Sequence, residues 1–166
     1  MYNVIGMWKN RNKPGFTIIE LLVTIGLIGI LSAGVISLIG QGPREGSRDT
    51  RRQADLQSIV SGVTLFRNDM GKYPSCGGSV SCEARNMVGM GNYMATIPRD
   101  PADALGRDYR YKPMDSGSGA CDASNGDRCV KFVLCAALER NTTADSNCNS
   151  LSCGSGFTCS LSVASQ

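Results

Sequence analysis

Gly15-Phe16-Thr17-Ile18-Ile19-Glu20-Leu21-Leu22-Val23-Thr24-Ile25-Gly26-Leu27-Ile28-Gly29-Ile30-Leu31 decides how this chain is read. The run stays apolar or small through Ser32-Ala33-Gly34-Val35-Ile36-Ser37-Leu38-Ile39, and Glu20 is the only ionisable side chain between Phe16 and Ile39. As a helix rising ~1.5 Å per residue it reaches ~36 Å. The hydrocarbon core of a bilayer is ~30 Å, so residues 16–39 are expected to cross a membrane with some tilt. A charge in such a helix costs roughly 3 kcal/mol by insertion scales and persists when it has a partner or a task. A cut between Gly15 and Phe16 would create one. The new α-amino group is cationic near neutral pH and can pair with Glu20 in the same chain or in a neighbour.

Working outward on the N-terminal side, residues 1–15 form a basic leader with Lys9, Arg11 and Lys13 and no acid. A secretory signal peptide has its apolar core before the cut. Here the core follows it, so the membrane segment stays with the mature protein. Pro14 holds the junction extended, as a protease cleft requires. The leader's three cations account for the whole formal net charge of +3, which leaves the mature side chains balanced. A nucleic-acid binder is usually more basic, so nucleic acid is not an expected partner.

The stretch Gly15-Phe16-Thr17-Ile18-Ile19-Glu20-Leu21-Leu22-Val23 resembles the cleavage and methylation motif of type IV pilins and of the pseudopilins of type II secretion. The resemblance is strong from Lys13 to Leu31. It implies that a membrane aspartyl peptidase cuts after Gly15 and N-methylates Phe16. It also implies that Glu20 guides subunits into a helical filament. Implied partners are further copies of the chain, minor pilins or pseudopilins, the prepilin peptidase and an inner-membrane assembly platform. The implied location is the cytoplasmic membrane, crossed once with the C-terminus outside. The filament would stand in the periplasm or at the cell surface. Cations on both sides of the span compete under the positive-inside rule, so orientation follows from the resemblance. One departure matters. Many members have a proline midway along the apolar helix, and this chain has Gly26, Gly29 and Gly34 instead. Any local melting of the helix would rest on glycine.

Residues 40–73 read as an amphipathic stalk. Gly40-Gln41-Gly42-Pro43 is expected to kink or unwind the chain at the membrane surface. Leu56, Ile59, Val60, Val63, Phe66 and Met70 then recur at helical spacing as one apolar face. Arg48, Arg51, Arg52, Asp55, Gln57 and Asn68 are assigned to the other faces. Their default reading is a solvated surface. Lipid headgroups and acids on adjacent subunits are the alternatives. Asp69-Met70-Gly71-Lys72-Tyr73-Pro74 stops the helix and also resembles a turn of major pseudopilins.

Residues 74–166 form the expected globular head, which contains all eight cysteines: Cys76, Cys82, Cys121, Cys129, Cys135, Cys148, Cys153 and Cys159. An even number in a small exported domain points to disulfides. Zinc is disfavoured, because the chain has no histidine and no Cys-x2-Cys pair. Eight cysteines allow on the order of 100 connectivities. Loop closure favours Cys76–Cys82 and Cys121–Cys129, and leaves the other four open. Ile97-Pro98-Arg99-Asp100-Pro101 is a rigid connector. Tyr109 to Lys112, Cys129 to Leu138 and Phe157 to Val163 read as strands, and Met114 to Arg128 as a loop. The expected fold is α+β: a long N-terminal helix packed on a small antiparallel sheet of two or three strands, with a disulfide-stapled head.

No cofactor is expected. Major pseudopilins bind calcium near their C-terminal strands. Asp115, Asp122, Asn125 and Asp127 are oxygen donors in a comparable loop, without regular ligand spacing. The Asn141-Thr142-Thr143 sequon is a chance match in a bacterial-type protein. Without histidine, the usual base for a serine or cysteine nucleophile is missing, so catalysis is not expected. The expected function is that of a structural subunit in a type IV pilus-like or secretion pseudopilus filament. The competing reading is a membrane-anchored exported binding domain that does not polymerise.

Overall fold

A computed structural model of the protein describes residues 15–38, 42–121, 129–148 and 151–165. It divides into two units between Gly40 and Gln41. In the first, helix α1 spans Ile18–Leu38. The stretch Ile18–Ile36 has a mean hydropathy of 2.3, and none of it is buried. Apolar side chains point in every direction, as expected of a helix solvated by lipid.

The second unit starts with helix α2, Gly42–Met70. Pro43 lies in its first turn, where a backbone N–H has no intrahelical acceptor and proline is tolerated. Leu56, Ile59, Val63 and Phe66 are buried along one face, while Met70, placed on that face by its spacing, is exposed. It is the last residue of the helix. Gly71 follows with φ +69°, and its N–H donates to the Arg67 carbonyl at 2.8 Å. The chain turns away there, so the buried stripe ends at Phe66. Of the expected interruption, Gly42 and Pro43 are helical, and Gly40 and Gln41 lie outside the described residues.

Among the described residues the sheet has four antiparallel strands in sequential order: β1 Cys82–Glu83, β2 Arg110–Met114, β3 Lys131–Ala136 and β4 Leu161–Ala164. The sequence suggested two or three strands. The extra one, β1, is two residues long, too short for alternation to reveal, and pairs Cys82 with Tyr111 and Glu83 with Arg110. The last strand starts at Leu161, four residues later than the expected Phe157, because Gly154 and Gly156 adopt positive φ and the chain first makes a tight turn.

Strand β3 is covered on both faces, which explains its nearly continuous apolar run. Phe132, Leu134 and Ala136 join Leu56, Ile59, Val63, Tyr73 and Tyr111 in the core beneath α2. Val133 and Cys135 face a smaller cluster built largely from Cys148, Cys153 and Cys159. In the larger core, Tyr111 stacks near Phe132 and its hydroxyl donates to the Pro74 carbonyl at 3.0 Å, which satisfies its buried polar end. Gly62 permits a close approach: a Cβ there would stand 2.5 Å from the Met94 side chain.

The disulfides are Cys76–Cys82, Cys121–Cys129, Cys135–Cys148 and Cys153–Cys159. The first two are the pairs favoured by loop closure. The other two join neighbours in sequence, across 13 and 6 residues. Both lie on the β3 face turned away from α2, where they replace a second helix as cover.

Candidate assembly site

Helix α1 begins immediately behind the Gly15–Phe16 junction. Thr17 Oγ1 accepts the Glu20 backbone N–H at 3.3 Å, and the Thr17 carbonyl accepts the Leu21 N–H at 3.1 Å. Thr17-Ile18-Ile19-Glu20 therefore has the spacing of a capping box, with Glu20 as the acid three residues after the cap. The Thr17-x-x-Glu20 pattern alone carries this signal in the sequence. It places the carboxylate in the first turn, where the helix dipole favours negative charge by ~0.3–1 kcal/mol. That offsets only part of the cost of burying it in lipid. Among the described residues Glu20 has no cationic partner. Gly26, Gly29 and Gly34 have open space around them, so another helix can approach α1 closely at each.

The N-terminal half of α2 carries a second charged centre. Arg52 is completely buried. Its Nε and Nη2 donate to the two Asp100 oxygens at 2.7 and 2.8 Å, and Nη1 donates to Asp49 Oδ1 at 2.6 Å. Nη2 also lies 2.8 Å from Glu139 Oε1. Arg48 completes the cluster through its own paired hydrogen bonds to Glu139. Asp49 accepts the Glu139 and Arg140 backbone N–H groups at 2.9 and 3.0 Å, and Asp100 accepts the Ala102 N–H at 2.7 Å. Each carboxylate thus has a cation and, for the two aspartates, backbone donors.

Burial alone would lower the Arg52 pKa. Its bonds to Asp100, Glu139 and Asp49 outweigh that cost and raise it. The Arg48 hydrogen bond, with Arg52 behind it, holds Glu139 down to about 2. Nearby, burial and a 2.8 Å bond to Asp55 push the Tyr109 hydroxyl up.

Solvation was the expected state of this arginine group, and for Arg48 and Arg52 that reading is corrected. Asp49, Arg52, Leu56, Ile59 and Val63 follow one another at three- and four-residue spacing, so Arg52 belongs to the inward stripe. Arg51 is exposed and pairs with Asp55 at 3.9 Å. The cluster ties α2 to the Ile97–Pro101 connector through Asp100 and to the segment after β3 through Glu139. It is structural, and it fixes the orientation of α2 on the sheet.

Of the oxygen donors considered for calcium, Asp115 closes its own turn by accepting the Gly119 N–H at 2.8 Å. Asp122, Asn125 and Asp127 lie outside the described residues, as do Lys9, Arg11, Lys13 and Pro14 of the leader. Among the described residues, no group of acids or cysteines is arranged to hold a metal ion.

Residues 10–36 match the family model described as "Prokaryotic N-terminal methylation motif". The chain is 28% identical over 122 residues to Type II secretion system core protein G of Vibrio cholerae serotype O1, covering 68% of this chain and 80% of that one. To the protein of the same name in Pseudomonas aeruginosa it is 25% identical over 132 residues, 71% of this chain and 90% of the relative. Toxin coregulated pilin of Vibrio cholerae serotype O1 is 25% identical over 95 residues, 56% of this chain and 42% of the relative. No solved structure matches the chain significantly.

Proposed function

We propose that the chain is a membrane-anchored filament subunit of the type IV pilin and pseudopilin kind, processed at its N-terminus, and that it builds a pseudopilus of the secretion type. The peptidase cuts between Gly15 and Phe16 and methylates the new Phe16 amine. Residues 16–39 cross the cytoplasmic membrane once, with the head outside. In the filament, Glu20 of one subunit meets the Phe16 amine of another, and the small residues of α1 let the helices pack closely. The head acts mechanically and has no catalytic or cofactor role.

One observation carries this reading. An uncovered apolar helix starts directly after a Gly-Phe junction and carries in its first turn a single acid with no cationic partner among the described residues. Lipid alone gives that acid no partner. A neighbouring N-terminus supplies one, and the pairing offsets the cost of moving the helix from lipid into a bundle. The secretion variety is favoured by extent of similarity. The alignments cover 80% and 90% of two core protein G relatives but 42% of the toxin coregulated pilin.

The test is Glu20→Ala in cells that carry the peptidase. Expected are normal cleavage and insertion with loss of filaments. Undiminished filaments would remove Glu20 from assembly, and persistence of a monomer in wild-type membranes would favour the anchored binding domain. If the wild-type filament appears in sheared surface material and exoprotein release does not need it, the pilus variety is correct.

A further inference from the structure

An open groove of about 460 Å³ runs between α2 and strand β4. Gln53, Ala54 and Gln57 form its helix wall, and Leu161 and Val163 its sheet wall. Among the described residues no ionisable side chain lines it, on a helix otherwise dense in charge. Towards the start of α2 it continues past Thr50 and Gln53 into a hollow lined by Gly46, Asp49 and Arg140, where Asp49 is already held by Arg52 and the Arg140 N–H. Arg140 is exposed and has no ion-pair partner among the described residues.

The other flank of α2 carries a knob. Leu105 is 73% exposed, more than any other large apolar side chain in the second unit among the described residues. It ends the short turn Asp103–Leu105, beside a hollow that Arg48 and Phe157 help to line. That turn is held rigidly. Gly106 has φ +81°, its carbonyl accepts the Ser155 N–H at 3.2 Å, and the Asp108 N–H donates to the Cys153 carbonyl at 3.1 Å. Gly154 packs so closely that a Cβ would stand 1.8 Å from the Gly106 oxygen. The Cys153–Cys159 disulfide ties the supporting loop down. A rigid knob has little conformational freedom to lose on docking.

Knob and groove cannot meet within one molecule. At about 100° per residue, Gln53 lies roughly 140° around the α2 axis from Arg48, so the helix stands between them. A contact between two unlike patches is heterologous. It repeats from copy to copy and generates a helical filament where the rotation between copies does not close a ring, whereas a self-complementary patch stops at a dimer. Resting on the filament reading above, we propose that the Leu105 turn of one subunit seats in the α2–β4 groove of the next, with Asp103 set against Arg140. The uncharged groove takes the leucine, and opposite charges at one end fix its direction. The occupant is therefore a second copy of this chain. Asp103 already lies 3.5 Å from Arg85 and 3.3 Å from Arg99, so Arg140 joins a network instead of forming an isolated pair.

The experiment places a benzophenone amino acid at position 105 of the full-length chain and irradiates both filaments and detergent-dispersed subunits. Expected are cross-linked dimers and longer ladders in the filament fraction alone, with the linked peptide mapping to residues 50–57 or 161–163. In parallel, Leu105→Glu is expected to lower filament yield by roughly tenfold, equivalent to ~1.4 kcal/mol per contact, while the melting temperature of the dispersed subunit stays unchanged. Ala54→Trp, which fills the groove from the other side, is expected to do the same. Normal filaments whose cross-links map elsewhere, or which tolerate both substitutions, would overturn the docking contact and leave the filament reading intact. Absence of any wild-type filament would overturn both.

Discussion

Arg52 and Asp100 stand 48 residues apart in sequence and meet through two hydrogen bonds of 2.7 and 2.8 Å, with the guanidinium wholly shielded from solvent. The pair joins α2 to a connector that Pro98 and Pro101 stiffen. Pairs of this kind often contribute little net energy over an apolar replacement, but breaking one leaves a charge stranded in the interior. The pair's value here is geometric: it sets which face of α2 meets the sheet.

Removing one member should therefore cost more than removing both. Arg52→Ala is expected to destabilise the head by ~3–5 kcal/mol, and Arg52→Met with Asp100→Asn by clearly less. Denaturant unfolding of the full-length chain in mild detergent, followed through a head-specific signal, checks both values. Equal losses would mean that the cluster is not coupled.

Acid should loosen the same centre. The Glu139 carboxyl lies at about 2 in the folded chain, below its ordinary 4.5, chiefly because Arg48 hydrogen-bonds to it. A lowered folded pKa contributes stability that is fully present above the ordinary value. It is lost as pH falls from about 4.5 towards 2. Wild type should thus be more stable than Glu139→Gln at neutral pH, and the difference should shrink across that window. A constant difference down to pH 2 would contradict the assignment.

Two glycines with positive φ should respond very differently to alanine. At Gly71, φ is +69° with nothing within 4 Å, so Gly71→Ala should cost only the backbone penalty of about 1 kcal/mol. At Gly154 the added methyl would collide with the Gly106 carbonyl at 1.8 Å, and φ is +114°. Gly154→Ala should cost at least about 3 kcal/mol or displace the Leu105 turn. Thermal melting of the two variants gives the order.

Reduction should begin at Cys76–Cys82. Both of its half-cystines are 8% exposed, whereas the other six lie at 2% or less. Mild reductant without denaturant, followed by alkylation and peptide mass analysis, should label Cys76 and Cys82 first. Replacing any one disulfide by serines should cost ~2–5 kcal/mol. Uniform labelling of all eight would indicate that the head opens as a whole.

The α+β layout and the inward stripe from Leu56 to Phe66 were legible because hydrophobic spacing is a local signal. So were Cys76–Cys82 and Cys121–Cys129, whose partners are close in the chain. The cysteines that cover the far face of β3 were seen, but their pairing was not, since several short loops among them are comparable in closure entropy. Arg52 was misplaced because charge was given more weight than position. Its spacing to Leu56 already turned it inward, but its main partners, Asp100 and Glu139, lie 48 and 87 positions away, and only the tertiary fold brings them near. The role of Thr17 as a cap needed only the four-residue pattern with Glu20.

In the proposed function this chain is made as a precursor and matures into a polymerising subunit. Intact mass of the protein extracted from membranes of peptidase-bearing cells tests it most directly. The expected species begins at Phe16 and is heavier by one methyl group and lighter by two hydrogens for each of the four disulfides. A product that keeps residues 1–15 would contradict it.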